Sequence, residues 1–110
     1  MDLTAVRAEL EQAVRESDAA IAALAHEEAD LDIDEADVSS ELAEADREEA
    51  LAEAADSRRE EALAALARLD AGTYGLCVDC GQQIAEERLL FRPEAARCLA
   101  DQQAFEEREG

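Results

Sequence analysis

Three cysteines and one aspartate carry the clearest chemistry in this 110-residue chain: Cys77, Cys80, Cys98 and Asp101, spaced C-x2-C-x17-C-x2-D. Two thiols two residues apart, bracketed by Gly75 and Gly81, read as a metal-binding turn, because glycine lets backbone amides approach thiolate sulfur closely. The spacing falls in the zinc-ribbon range, with a carboxylate where the last thiolate would stand. Asp101 follows Cys98 by three residues, so on a helix the two share a face and Asp101 can supply the fourth vertex. A carboxylate is a harder ligand than a thiolate, so the expected site is weaker and more pH-sensitive than a four-sulfur one. The alternative is a metal-free finger held by Leu76, Ile84, Leu89, Phe91, Leu99 and Phe105.

Other reactive groups are sparse. His26 is the single histidine; it stands off the apolar seam, far along the chain from the cysteines, and reads as a solvent-exposed side chain. Asp34-Glu35-Ala36-Asp37 has no glycine-rich Lys-Ser/Thr loop to accompany it, which excludes an ATPase reading. With no nucleophile–base pair in view, the chain does not read as an enzyme.

The elements that must position the cysteines are helical. Leu3, Val6, Leu10, Ala13, Ser17, Ala20, Leu24 and Leu31 recur at alternating steps of three and four, and Val14 and Ile21 widen the stripe. Asp2 or Thr4 is placed to cap this helix. Residues 30–40 break the pattern with aspartates, poor interior helix formers, and predict a turn with Asp34 or a neighbour capping the next helix. The second helix is expected from about Glu35 to Asp70, with Val38, Leu42, Ala45, Ala52, Ala55, Ala62, Leu63, Leu66 and Leu69 facing inward. Gly72 ends it. The sequence thus predicts an all-α chain: a long antiparallel coiled-coil hairpin over 1–71 with an acidic tip near 30–38, then a zinc-finger-like module with a C-terminal helix over 72–110. The competing arrangement is one continuous helix of about 68 residues that dimerises. Pro93 suits the first turn of the last helix, which would carry Cys98, Leu99, Gln102 and Phe105 on one side.

The formal net charge is −20, and all ten basic residues are arginines. Thirty carboxylates disfavour direct binding to nucleic acid and point to a positively charged protein surface as partner. Self-repulsion favours a monomer. An odd number of cysteines, no signal peptide and no membrane-crossing run suit metal ligands in a reducing cytoplasm. Arg88, Arg92 and Arg97 form a basic cluster on the finger, available to a partner or to Glu86, Glu87 and Glu94.

The run Gly75-x-Cys77-x-x-Cys80-Gly81-x-x-Ile84-x-x-x-Arg88-Leu89-x-x-x-Pro93-x-x-x-x-Cys98 resembles the DksA/TraR family of bacterial transcription regulators, and so does the preceding Ala65–Gly75 stretch. The likeness extends over about residues 30–108. It implies a zinc finger at the base of a coiled-coil hairpin, and RNA polymerase as partner. The hairpin would enter the polymerase's secondary channel while the finger and last helix grip the rim, with Arg88, Arg92 and Arg97 as rim contacts. The family's tip signature Asp-x-x-Asp-x-Ala falls on Asp34, Asp37 and Ser39, the residues that would reach the active centre. The family's fourth cysteine is Asp101 here. Positions where larger members carry lysines for guanosine tetraphosphate fall on Glu61 and Gln102, with only Arg92 basic, so this alarmone is not an expected ligand. Larger members have a further segment before the coiled coil, where this chain starts. The reading from another class is a zinc- or redox-sensing adaptor whose coiled coil binds a different protein.

Overall fold

The structure, a computed structural model, describes residues 1–29 and 38–109, with side chains outside 26–43. Its regular elements there are α1 (Leu3–Ala29), α2 (Val38–Ala71), α3 (Glu86–Phe91) and α4 (Leu99–Glu109). Asp2 caps α1: its Oδ1 accepts the Thr4 and Ala5 amides at 3.0 and 3.4 Å, satisfying donors that have no partner within the helix. α2 closes in a Schellman turn. The Thr73 amide donates to Arg68 O at 2.9 Å and the Gly72 amide to Leu69 O at 3.3 Å, with Gly72 at φ 77°, a backbone angle at which a Cβ would be strained.

α1 and α2 pack side by side within one chain, so the hairpin holds and the continuous dimerising helix does not. Ion pairs of Arg7 with Asp70 at 2.7 Å and Arg59 with Asp18 at 2.6 Å share one antiparallel register. Arg58 and Glu16 lie alongside at 3.9 Å. The seam is built from Val6, Leu10, Ala62 and Ala65, flanked by Ala13, Val14, Leu66, Leu69 and Tyr74. Further along it Ser17 and Ala55 are buried.

The inward stripe differs from the expected one in detail. Leu3 and Leu63 are exposed, as are Ala20 and Ala45, while Ala65, absent from the expected stripe, is fully buried. Between Ala55 and Ala62 the seam follows a seven-residue step, and its next small step falls on Ala65. Leucine at 63 therefore sits one position off the contact line and covers the flank. The expected turn at 30–40 and the Asp34 cap fall almost wholly outside the described residues.

The last helix also begins later than Pro93 suggests. Arg92 O accepts the Ala95 amide at 3.0 Å, so Pro93 occupies the second position of a tight turn, where its fixed φ serves equally well. α4 starts only where Cys98 O accepts the Gln102 amide at 2.9 Å. Among the described residues no helix is long and apolar enough to cross a membrane.

Candidate metal centre

Three short segments bring the four donors together. The first is a knuckle that folds residues 75–84 back on themselves. Leu76 and Gln83 pair as an antiparallel bridge, the Cys77 amide donates to Gln82 O at 2.8 Å, and the Ile84 amide donates to Gly75 O at 2.7 Å. Gly75, at φ 87°, takes the third position of the Thr73–Leu76 turn, which requires a positive φ. The second segment is the strap 93–98, which leaves the Arg92–Ala95 turn and leads into α4. The third is the first turn of α4, which carries Asp101.

The strap is gripped by its carbonyls. Pro93 O accepts Tyr74 Oη–H at 2.9 Å. Glu94 O and Ala95 O accept the Arg68 guanidinium at 3.4 and 3.5 Å, longer and weaker bonds. Ala96 O accepts the Val78 amide at 2.9 Å, and Arg97 O accepts Arg88 Nε–H at 3.0 Å. Five consecutive carbonyls thus fix the path into Cys98. Burial pushes the Tyr74 phenol up, more than nearby Arg68 lowers it, so the hydroxyl remains a donor.

Donor atoms of Cys77, Cys80, Cys98 and Asp101 all lie within 4.8 Å of one another. Cys77 is buried, Cys80 exposed and the other two half-buried. On a tetrahedral zinc, ligand atoms at ordinary bond lengths stand about 3.5–3.8 Å apart, so the cluster needs only small adjustments to close on an ion. Three thiolates and a carboxylate form a donor set that suits zinc, and no donor is missing.

The same proximity shifts the titrations. Burial raises the Cys77 thiol, but the backbone amides of Cys80, Cys98 and Asp79 outweigh it and leave the pKa below its ordinary value. The Gln82 amide lowers Cys80, yet the Asp101 carboxylate, desolvation and the other two thiols push it up to about 12. Hydrogen bonds from Cys77, Cys80 and Cys98 hold Asp101 below the usual carboxylate range. A divalent cation would dominate this local field and favour all four ionised forms.

Residues 72–107 match the family described as the prokaryotic dksA/traR C4-type zinc finger. Among solved structures, the chain is similar to transcription factor DksA2 from Pseudomonas aeruginosa, with TM-score 0.78 and 31% identity over 94% of this chain and 82% of that one. The chain belongs to the DksA/TraR family. No curated protein sequence matches it. In this DksA/TraR chain the family's four-cysteine finger is retained in shape with an aspartate at the fourth position, and the four side chains stand close enough to bind a metal ion.

Apolar packing is a poor substitute for that ion. Of the six residues that would hold a metal-free finger, Ile84 and Leu89 are buried and Phe105 is half-buried, but Phe91 is 88% exposed, Leu99 60% and Leu76 37%. The arginines also divide. Arg92 lies 3.5 Å from Glu94, one of the acidic partners expected from sequence. Arg97 pairs with Asp79 at 2.7 Å, and Arg88 with the strap, neither expected. Arg68 and Tyr74 were missed as site residues; the only signal for them is their place in the Ala65–Gly75 junction. Asp34 and Asp37 lie outside the described residues, and Ser39 falls in the first turn of α2.

Proposed function

We propose that this chain is a non-enzymatic, cytoplasmic and monomeric regulator of transcription initiation that binds RNA polymerase. Its coiled-coil tip, with Asp34, Asp37 and Ser39, enters the secondary channel, and its zinc-bearing finger docks at the rim. The observation that carries this reading is the likeness to a transcription factor over 94% of the chain, including both the hairpin and the knuckle. Seven acidic and no basic side chains between Glu27 and Asp37 make a tip suited to basic side chains, or to perturbing a bound magnesium ion electrostatically. Such a tip shifts the stability of promoter complexes without making or breaking a bond.

Zinc on Cys77, Cys80, Cys98 and Asp101 would lock the three finger segments together and plays no part in chemistry. Of the three arginines assigned to the rim, Arg92 is the exposed one, with 62% of its side chain accessible; Arg88 and Arg97 face their own chain. Guanosine tetraphosphate has no role in this reading. Glu61, Glu94 and Glu106 share a cavity of about 350 Å³ with Arg88, Arg92, Arg97 and Gln102, and the carboxylates oppose a polyphosphate.

The test is capture of purified core RNA polymerase by the tag-free, zinc-loaded protein, with sedimentation of the free protein alongside. Polymerase retained at about micromolar concentration supports the reading. No enrichment overturns it in favour of an adaptor for another protein, and a stable dimer overturns the monomer.

A further inference from the structure

Arg97 touches all three segments that carry the metal donors. Its Nε–H donates to Asp79 Oδ2 at 2.7 Å, and Asp79 lies inside the Cys77–Cys80 turn. Its Cζ sits 4.1 Å from the ring centroid of Phe105, on the helix that carries Asp101. By sequence it is the residue immediately before Cys98. The Arg97 side chain is 23% exposed and that of Asp79 36%, so the pair is partly shielded from water and salt.

We propose that Arg97 is a positioning residue of the metal centre, joined to Asp79 and Phe105 so that the knuckle, the strap and α4 hold their donors in place for a zinc-like ion. The proposal rests on metal binding at the four donors and is independent of polymerase binding. A site with one hard oxygen donor gains less from its ligands than a four-thiolate site. Outer contacts that keep the donors from dispersing then matter more. The guanidinium suits this task because its planar fork can bond a carboxylate edge-on while its face stacks on an aromatic ring.

Charge and positioning make opposite demands on Arg97, which allows a clean test. A cation near a metal site repels the ion, so by charge alone Arg97→Met tightens binding and Asp79→Asn loosens it. If the pair acts by positioning, both substitutions loosen it. Zinc affinity would be measured by competition with a chromophoric chelator, and coordination geometry by the visible absorption of the cobalt-loaded protein. Arg97→Met and Asp79→Asn should each weaken zinc by about 10–100-fold, with Arg97→Lys in between. The double variant should be no weaker than the worse single one, because the two side chains act as one unit. The tetrahedral cobalt bands of Arg97→Met should lose intensity. Zinc binding by Arg97→Met as tight as wild type, or tighter, overturns the proposal. If that variant does not fold, Asp79→Asn and Phe105→Leu both binding within about threefold of wild type overturn it instead. A wild-type protein that takes up neither zinc nor cobalt overturns the metal reading itself, and this proposal with it.

Discussion

Cys77 Sγ and Asp101 Oδ2 stand 3.1 Å apart, slightly inside the roughly 3.5 Å edge that a thiolate and a carboxylate span on one tetrahedral zinc. The thiol–carboxylate hydrogen bond and a shared ion are therefore competing uses of the same two atoms. An ion held by both atoms would take the place of the shared proton, and the pair would have to part slightly to span the wider edge.

Replacing Asp101 should grade the site. Asp101→Cys, which restores the family's four sulfurs, should tighten zinc, and Asp101→Ala should weaken it by at least the roughly tenfold that lost outer contacts cost. Chelator competition across the three proteins gives the order. Equal affinity in all three would remove Asp101 from the ligand set.

The carboxylate should also leave a pH signature in the chelated protein. Its pKa is lowered from 3.8 by the three thiols, so its contribution to stability is full above the unfolded value near 4 and is lost as pH falls through the lowered one. Urea midpoints followed by Tyr74 fluorescence should separate wild type from Asp101→Asn at neutral pH, and the gap should close below about pH 4. A gap that survived well into acid would mean that the charge is not what matters.

The seam predicts an asymmetry between large and small side chains. Leu10 is 1% exposed, and Leu10→Ala should cost about 2–5 kcal/mol. Ala65 is fully buried against the facing helix, and Ala65→Leu should cost about 1–3 kcal/mol by overpacking. Leu63→Ala, on the exposed flank, should cost under about 1 kcal/mol. Helix melting in urea ranks the three, and a costly Leu63→Ala would move the seam.

Salt should stabilise the molecule. The cross-hairpin ion pairs are exposed, and each contributes about 0–1 kcal/mol, whereas a net charge of −20 repels itself throughout. Raising salt to about 0.5 M screens both, and relief of the larger repulsion should raise Tm. A fall in Tm would make the ion pairs the dominant charge effect.

At the tip, Asp37→Asn should abolish the effect on transcription, Asp34→Asn should weaken it, and affinity for polymerase should change little. Single-round transcription on a sensitive promoter, paired with a binding measurement, separates these effects. A double Asp34/Asp37→Asn variant as active as wild type would reduce the acidic cluster to a solvated turn.

The donor set was legible because its chemistry lies in residue type and spacing, and the helices because a long chain repeats the same period many times. The strap was not. Its hold on Cys98 comes from carbonyls meeting Arg68, Tyr74 and Arg88, and backbone acceptors leave no mark in a sequence. Pro93 suits a turn as well as a helix start, so it misplaced the beginning of α4. Alanine-rich stretches also carry little contrast between faces, which is how Leu63 stood in for Ala65.

A grip taken on carbonyl oxygens is indifferent to what the side chains are. Glu94 and Ala96, both only half-buried, can therefore change identity without re-aiming Cys98. Beside its metal centre the finger has a stretch of surface where mutation can alter charge and shape for a new partner while the donors beneath keep their places.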